Sequence, residues 1–237
     1  MSSPNANATT ADFEFAALWE AANYRAAIVH EFQQHLRGHL LEVGCGIGQM
    51  TREFQLLSAI DRITCIEPDQ GFAAKHAKDI QGAELLIGTA GDLPPTVEAD
   101  SIVSINVLEH IEQDQEEMTR YARLLKSRRG HLCALVPARP EIYAPLDKDF
   151  GHFRRYTAPE LREKLEKAGF KVEKLHYFNL VGYFAWWFSF CLRKQRSFGI
   201  QQVRFYDRII FPVINAIETN AFRPPIGQSL IAIARAK

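Results

Sequence analysis

The sequence predicts an α/β protein in which a mostly parallel β-sheet is covered by helices on both faces. Short apolar runs alternate with amphipathic stretches along the middle of the chain. The first of these runs ends in three glycines at alternate positions, which suits a tight turn between a strand and a helix. Strands that alternate with helices form βαβ units, and their parallel strands are buried from both sides.

The individual elements follow this alternation along the chain. A helix is predicted from about Phe13 to Leu36, because Ile28, Phe32 and Leu36 recur at helical spacing, and Gly38 ends it. The predicted strands are His39–Val43, Arg62–Glu67, Glu84–Ile87, Ser101–Val107, His131–Val136, Lys171–Tyr177 and Ser229–Ala234. The predicted helices are Gln49–Leu57, Asp69–Ile80 and Asp114–Lys126, followed by one that a capping box opens at Thr157–Glu160.

Length and composition favour one globular domain. The chain has 237 residues, 47% of them hydrophobic and 24% charged, so it can bury a core without disulfides or a metal. Its first residues are small and polar, which indicates a disordered lead-in and not a signal peptide. We therefore predict a lead-in over residues 1–12 and a single domain over residues 13–237. Within that domain, residues 179–226 form a helical insertion or cap.

Net charge and cysteine usage limit the binding partners and the cellular compartment that the sequence favours. The 28 basic residues balance the 28 acidic ones, so the chain as a whole carries no signal for nucleic-acid binding. The four cysteines lie far apart, which favours free thiols in a cytoplasmic protein over a disulfide framework or a zinc site. No set of His, Asp and Glu has metal-ligand spacing, and no metal is predicted.

The segment before the last strand departs from the alternation because it is rich in aromatic residues. Its uncharged part, Val181–Leu192, is 12 residues long, whereas a membrane span needs about 20. The sequence therefore predicts no transmembrane helix, and we expect Val181–Leu192 to line a substrate pocket. Peripheral membrane contact, which the basic run Arg193–Arg196 supports, and a dimer surface remain alternatives. The sequence predicts no particular oligomeric state.

The strongest chemical signal is the glycine loop that follows the first strand. The apolar run from Leu40 leads into Gly44, Gly46 and Gly48, where glycine lets the backbone approach a ligand closely. Glu67 ends the second strand 19 residues after Gly48. Nucleotide-binding sheets place a carboxylate there for the ribose hydroxyls. The G-x-G-x-G spacing is tighter than the G-x-G-x-x-G of NAD-binding folds.

From Leu36 to Val136 the sequence resembles the class I S-adenosylmethionine-dependent methyltransferases, with a looser match beyond. Besides the glycine loop, the matching motifs are Glu67–Asp69, Gly91–Pro94, Asn106–Ile111 and Leu124–Val136. The resemblance implies a Rossmann-like, seven-stranded, mostly parallel sheet with an antiparallel last strand, and S-adenosyl-L-methionine as the cofactor. The residues that it places at the cofactor are Tyr24, Glu42, Gly44, Cys45, Gly46, Gly48, Glu67, Pro68, Ala90, Asp92, Leu93, Asn106, Val107 and Leu108.

One position departs from the family pattern. Many relatives carry an acid directly after the third-strand glycine, where it accepts a hydrogen bond from the adenine amino group, but Thr89 stands here. We expect Asp92, or the backbone of Ala90 and Gly91, to make that contact instead.

The resemblance also points to residues at the methyl acceptor. His110 follows the motif that ends beside the methyl donor, and the loop after the fifth strand is dense in titratable and aromatic groups. The candidate catalytic residues are His110, His152 and Tyr156, and the candidate acceptor-binding residues are Arg154, Arg155, Trp186 and Trp187. A structural interpretation stands beside these, in which His110 packs at a helix start and an arginine pairs with Asp147 or Asp149 to hold the loop.

These features predict an enzyme that moves a methyl group to an O, N or C atom of a small, apolar or aromatic acceptor. The Asn-Pro-Pro-Tyr motif of base methylases is absent after the fourth strand, where Asn106 is followed by Val107 and Leu108. Together with the neutral charge, this argues against DNA as the acceptor. The alternatives are a nicotinamide-dependent oxidoreductase of Rossmann type and a non-catalytic, methyltransferase-like binding protein.

Overall fold

A seven-stranded sheet organises the chain. The structure, a computed structural model, describes residues 19–94, 96–197, 199–220 and 222–237. The strands are β1 (Gly38–Val43), β2 (Ile60–Glu67), β3 (Glu84–Ile87), β4 (Ser101–Ile105), β5 (His131–Pro137), β6 (Phe170–Phe178) and β7 (Ser229–Ala236). They lie in the order β3-β2-β1-β4-β5-β7-β6. The first five are parallel, and β7 runs antiparallel to both of its neighbours.

Helices connect the strands. They are α1 (Ala22–Phe32), α2 (Gln49–Phe54), α3 (Gln70–Asp79), α4 (Asp114–Lys126), α5 (Pro145–Asp149), α6 (Ala158–Lys167), α7 (Leu180–Trp186), α8 (Ile200–Phe205) and α9 (Phe211–Asn220). Wider π-helical turns continue α7 through Leu192 and join α8 to α9. Short 3₁₀ turns follow α1 and strands β3, β4 and β5.

The central strands of the sheet are buried on both faces, and successive side chains along each strand point to opposite faces. On one face, Leu41 of β1 packs in a cluster with Tyr121 of α4 and Leu165 of α6. On the other face, the neighbouring Leu40 packs in a cluster with Phe32 of α1. Each face of β1 therefore has its own helical layer, and the predicted α/β fold class is confirmed.

Several predicted elements have different ends. The N-terminal helix was expected to run to Leu36, but α1 ends at Phe32 and a 3₁₀ turn covers Gln33–His35. The fourth strand was expected to run to Val107, but it ends at Ile105 because Asn106 has a left-handed backbone with φ 52°. The helix expected over Gln49–Leu57 ends at Phe54 and is followed by a turn. The early part of the predicted N-terminal helix and the lead-in over residues 1–12 lie outside the described residues.

Helices α7, α8 and α9 form a cap between β6 and β7. Hereafter the cap denotes residues 179–226. Buried Asp207 fastens it to α1 by accepting hydrogen bonds from the backbone N–H groups of Asn23 (3.0 Å) and Tyr24 (2.9 Å). Among the residues that the structure describes, no helix combines the length and the apolar character that crossing a bilayer requires.

Candidate functional site

Two adjoining cavities open at the carboxyl ends of the parallel strands. The smaller one, of about 300 Å³, lies beside the glycine loop and the ends of β1, β2 and β4. The larger one, of about 470 Å³, lies between the sheet and the cap. Asn106 and Phe150 line both. A ligand in the smaller cavity and one in the larger would therefore meet at these two residues.

The glycine loop has the backbone that the sequence motif suggests. Gly44, Gly46 and Gly48 have φ values of 71°, 56° and 87°, in the left-handed region that favours glycine. A Cβ atom on Gly44 would lie 2.4 Å from Cγ2 of Val107, and one on Gly48 would lie 2.4 Å from Cγ1 of Ile80. The loop thus requires glycine both for its conformation and for its close packing.

Glu67 holds this loop from the end of β2. Its carboxylate accepts one hydrogen bond from the backbone N–H of Gly46 (2.8 Å) and another from that of Asp69 (2.9 Å). Burial raises the pKa of Glu67, although these two hydrogen bonds oppose the shift. Glu67 also lines the smaller cavity. Its carboxylate therefore holds the glycine loop and would also contact a ligand bound in this cavity.

Glu42, the second acid of the smaller cavity, lies near the end of β1. The Thr51 hydroxyl donates a hydrogen bond of 2.6 Å to its carboxylate, and the Cys65 thiol lies 3.8 Å away. Burial raises the pKa of Glu42 to about 8, and the charge of Glu67 adds to the shift. Near neutral pH, Glu42 is therefore mostly protonated until a cation approaches it.

A pair of histidines lies where the two cavities meet. His110 lines the smaller cavity and His152 the larger, with ring centroids 4.7 Å apart. Burial, together with the charge of His152, lowers the pKa of His110 to about 4, so its imidazole is neutral near neutral pH. Glu109 joins them, and one potential metal-ligand atom from each of the three lies within 4.8 Å of the others.

Asp147 holds His152 and Arg155 together. It accepts a hydrogen bond from Nδ1 of His152 (2.9 Å) and forms an ion pair with Arg155 (2.9 Å). Burial alone would raise the pKa of Asp147, but the His152 hydrogen bond and the Arg155 charge outweigh it and hold the pKa below its usual value. The guanidinium of Arg155 also lies 4.6 Å from the ring centroid of Trp186.

The cap supplies much of the larger cavity. Trp186 and Phe190 line it from α7 and its π-helical continuation, and Tyr206 lines it from α8 and its continuation. Polar residues also line the larger cavity, and hydrogen bonds orient two of its polar groups. The Tyr206 hydroxyl donates to the Asn179 amide oxygen (2.5 Å), and the Trp186 indole N–H donates to the backbone oxygen of Ile142 (3.1 Å). The lining thus combines aromatic surfaces with oriented polar atoms.

The structure brings together about half of the residues that the sequence placed at the cofactor. Those that line the smaller cavity are Glu42, Gly44, Cys45, Glu67, Pro68, Asn106 and Val107. Tyr24 lines the larger cavity instead, while Gly46 and Gly48 belong to the loop and Leu108 is in the core. Ala90, Asp92 and Leu93 line neither cavity, and the Asp92 carboxylate accepts hydrogen bonds from the backbone N–H and the hydroxyl of Thr89.

The residues placed at the acceptor divide in the same way. His110, His152, Arg155 and Trp186 line a cavity. Tyr156 is fully buried and donates its hydroxyl to Asp114 (2.8 Å), and Arg154 pairs with the same carboxylate (2.7 Å). Trp187 points outward and is 45% exposed. Tyr156, Arg154 and Trp187 thus lie outside both cavities.

Some lining residues had no signal in the sequence. Phe72 of α3 lines the smaller cavity next to Pro68, and Phe150 lies between the two cavities. Gln228 and Ser229 reach the larger cavity from the start of β7. All are common residue types in ordinary surroundings, and only the packing of distant segments shows that they are at the site.

Comparison with known proteins agrees with this geometry. Residues 18–175, more than half of the 237-residue chain, match the sequence profile of a family described as a methyltransferase domain. The chain belongs to this methyltransferase family. S-adenosyl-L-methionine is the cofactor that fits such a domain. No protein of curated function matches the sequence.

Solved structures show the same fold at low sequence identity. An S-adenosylmethionine-dependent methyltransferase from Mesorhizobium loti is 14% identical, with a TM-score of 0.62, and the match covers 92% of this chain and 99% of that one. A chain from the Haloferax volcanii complex with the Trm112 methyltransferase activator is 14% identical, with a TM-score of 0.61 and 94% of both chains covered. The [4+2]-cyclase SpnF is 20% identical, with a TM-score of 0.59, and the match covers 90% of this chain and 80% of SpnF. The cyclase shows that the fold alone does not specify the reaction of this methyltransferase.

Proposed function

We propose that this methyltransferase moves a methyl group from S-adenosyl-L-methionine to a small, apolar or aromatic acceptor. The observation that carries the proposal is the meeting of two unlike cavities at Asn106 and Phe150. One is bordered by a glycine loop and the three acids Glu42, Glu67 and Asp69, and the other by aromatic side chains of the cap. Transfer between two molecules requires two binding sites with one shared boundary.

The smaller cavity fits the cofactor. The Glu67 carboxylate, at the end of β2, would accept hydrogen bonds from the ribose hydroxyls. Glu42 would ionise beside the amino group of the methionine part, whose positive charge offsets the cost of burying a carboxylate. Phe72 and Pro68 offer apolar surfaces for the adenine. When bound, the cofactor supplies a methyl group on a positively charged sulfur, which is the electrophile of the reaction.

We assign the handling of the acceptor's proton to the two histidines. Because Asp147 accepts from Nδ1 of His152, Nε2 is the nitrogen that would exchange the acceptor's proton, and it lies 4.0 Å from a carboxylate oxygen of Glu109. His110 is neutral near neutral pH and borders the cofactor cavity, so it can orient the acceptor without adding positive charge. Tyr156 and Arg154 have no part in this mechanism, since both are held by Asp114 away from the cavities.

The walls of the larger cavity support an apolar or aromatic acceptor. Trp186, Phe190 and Tyr206 provide large apolar surfaces at low cost in conformational entropy, which suits a flat or greasy molecule. The described cysteines are free thiols, which supports a reducing compartment such as the cytoplasm.

Calorimetry with S-adenosylhomocysteine tests the cofactor assignment. The wild-type protein is expected to bind it and not to bind NADH. Glu67→Ala should weaken binding by about 1.5–3 kcal/mol, roughly 10- to 150-fold, because it removes hydrogen bonds to a charged group. Glu163→Ala changes an exposed acid on α6 and is the matched control. Binding of NADH alone would replace the proposal with the oxidoreductase alternative.

An acceptor screen with tritiated cofactor then identifies the product. Small apolar and aromatic alcohols, amines and acids form the first panel, with and without a chelator, and transfer should not require a metal. A cell protein fraction forms a second panel, because one structural neighbour occurs in a complex with the Trm112 activator. Label appearing only in protein would overturn the small-molecule assignment but leave the methyltransferase assignment intact.

A further inference from the structure

The outer face of the cap exposes two rows of large apolar side chains. On α7 and its π-helical continuation the row consists of Phe184, Trp187, Phe188 and Leu192. On α8, α9 and the turn between them it consists of Phe205, Ile209, Val213 and Ile217. These side chains are 45–60% exposed. Their spacing, close to multiples of three and four, places each row along one side of its helix.

The helices of the cap pack on the rest of the domain through their opposite sides and not through these two rows. The opposite side of α7 and its continuation presents Trp186 and Phe190 to the larger cavity. The opposite side of α8 and α9 buries Asp207 and Phe211. Ten of the fifteen large apolar side chains that are exposed among the described residues belong to the cap, so the exposure is concentrated there. Within each row the exposed side chains follow one another along one side of the helix, and grouped exposure of this kind marks an interaction surface, whereas scattered exposed residues do not.

The cap contains many more basic than acidic residues. It contains the basic residues Arg193, Lys194, Arg196, Arg204, Arg208 and Arg223, and its two acids are Asp207 and Glu218. Both acids are buried, and their carboxylates accept hydrogen bonds from backbone N–H groups. The surface of the cap therefore carries positive charge on a chain whose net charge is zero.

Three of these basic residues adjoin the apolar rows. Arg193 and Lys194 follow Leu192 at the end of one row, and Arg208 precedes Ile209 in the other. All three are exposed, and none forms an ion pair with another residue that the structure describes. Arg193 also lines the larger cavity, and its guanidinium lies 5.7 Å from the ring centroid of Phe188 in the first row. By contrast, Arg196 pairs with Asp149 and Arg204 with Glu20, outside the cap.

We propose that the outer face of the cap, meaning the two apolar rows with Arg193, Lys194 and Arg208, docks on the surface of an anionic lipid bilayer. Helices that lie in a membrane interface combine an apolar side rich in aromatics with nearby Lys and Arg residues. Acidic lipid headgroups complement the positive charge, and the apolar rows enter the boundary of the acyl chains. A second copy of this chain is a poorer partner, because two positively charged faces would then meet.

Sedimentation with lipid vesicles tests the proposal independently of enzymatic activity. The wild-type protein is expected to sediment with vesicles of mixed phosphatidylcholine and phosphatidylglycerol and to bind phosphatidylcholine vesicles at least tenfold more weakly. The double variant Leu192→Ser/Ile209→Ser should lower the partition coefficient at least tenfold. The triple variant Arg193→Gln/Lys194→Gln/Arg208→Gln should remove the preference for the anionic vesicles and its dependence on salt.

The control replaces an apolar side chain that is exposed outside the cap. Leu56→Ser changes a residue that is 80% exposed after α2, and it should leave vesicle binding unchanged. Thermal melts and affinity for S-adenosylhomocysteine show that each variant is folded. No sedimentation of the folded wild-type protein, or equal sedimentation of the double variant, would overturn the proposal. A dimer that the double variant dissociates, in a protein that binds no vesicles, would assign the face to a second copy instead.

Discussion

Replacing Glu42 with glutamine tests the electrostatics of the cofactor cavity. Burial raises the pKa of this acid from 4.5 to about 8 in the folded protein. The folded state therefore holds a proton that the unfolded state releases between these pH values. Because stability falls with pH wherever the folded state binds more protons, Glu42 should destabilise the wild-type protein progressively as the pH rises from about 5 to about 8.

The expected effect is large compared with the stability of a domain. One pKa unit corresponds to about 1.4 kcal/mol, so the shift of Glu42 lowers the free energy of unfolding by about 4 kcal/mol at pH 8. Glutamine keeps the shape and can still accept the hydrogen bond from Thr51 but does not ionise. Glu42→Gln should therefore be more stable than the wild type above pH 8 and should bind S-adenosylhomocysteine about tenfold more weakly, since it cannot offer a charge to the amino group.

Urea unfolding, followed by tryptophan fluorescence from about pH 5 to about pH 9, measures the difference. Other titrating groups contribute to both proteins, and the wild-type curve minus the variant curve isolates Glu42. Glu163→Gln, an exposed acid of α6, is the matched control and should give a curve parallel to that of the wild type. Parallel curves for the wild type and Glu42→Gln would show that Glu42 titrates normally and would refute the reasoning.

Three further substitutions have defined outcomes. Gly48→Ala should cost about 2 kcal/mol in urea unfolding, because φ is 87° and the new Cβ would lie 2.4 Å from Ile80; unchanged stability would contradict the strained loop. Asp147→Asn should cost about 3–5 kcal/mol at neutral pH by leaving buried Arg155 unpaired. Since the folded-state pKa of Asp147 is lowered, this difference should shrink as the pH falls below about 4. Trp186→Ala should raise the acceptor KM while leaving affinity for S-adenosylhomocysteine within about twofold, and an equal loss of both would place this side chain at the cofactor.

The sequence predicted correctly those elements whose bounds are set by their own hydrophobic pattern. Glu84–Ile87 and Asp114–Lys126 have the predicted bounds, since a short apolar run and a strongly amphipathic stretch are bounded within their own sequence. The predicted end of the fourth strand was wrong because apolar Val107 continues the strand pattern in the sequence, whereas the backbone of Asn106 is no longer extended. A left-handed asparagine is invisible to hydrophobic periodicity, although asparagine tolerates that conformation better than most residues.

The site was predictable where a short motif contains it and not where distant segments meet. The glycine loop and Glu67 follow from spacing alone, and the structure brings them together. The contact between His110 and His152 joins residues 42 positions apart, and no spacing rule connects them. The sequence did offer Asp147 as a partner for Arg155, but the hydrogen bond from His152 to the same carboxylate becomes visible only in the folded chain.

Composition alone predicted a single role, that of pocket lining, for the aromatic segment of the cap, although its helix has two sides in different surroundings. Trp186 and Trp187 are adjacent in the sequence, yet Trp186 is 8% exposed in the cavity wall while Trp187 is 45% exposed on the outer face. A helix turns by about 100° per residue, so an aromatic run must present side chains to both sides. If the acceptor is apolar and the outer face docks on lipid, both sides serve the same reaction. The inner side would then bind a molecule that partitions into the bilayer, and the outer side would hold the cavity close to it.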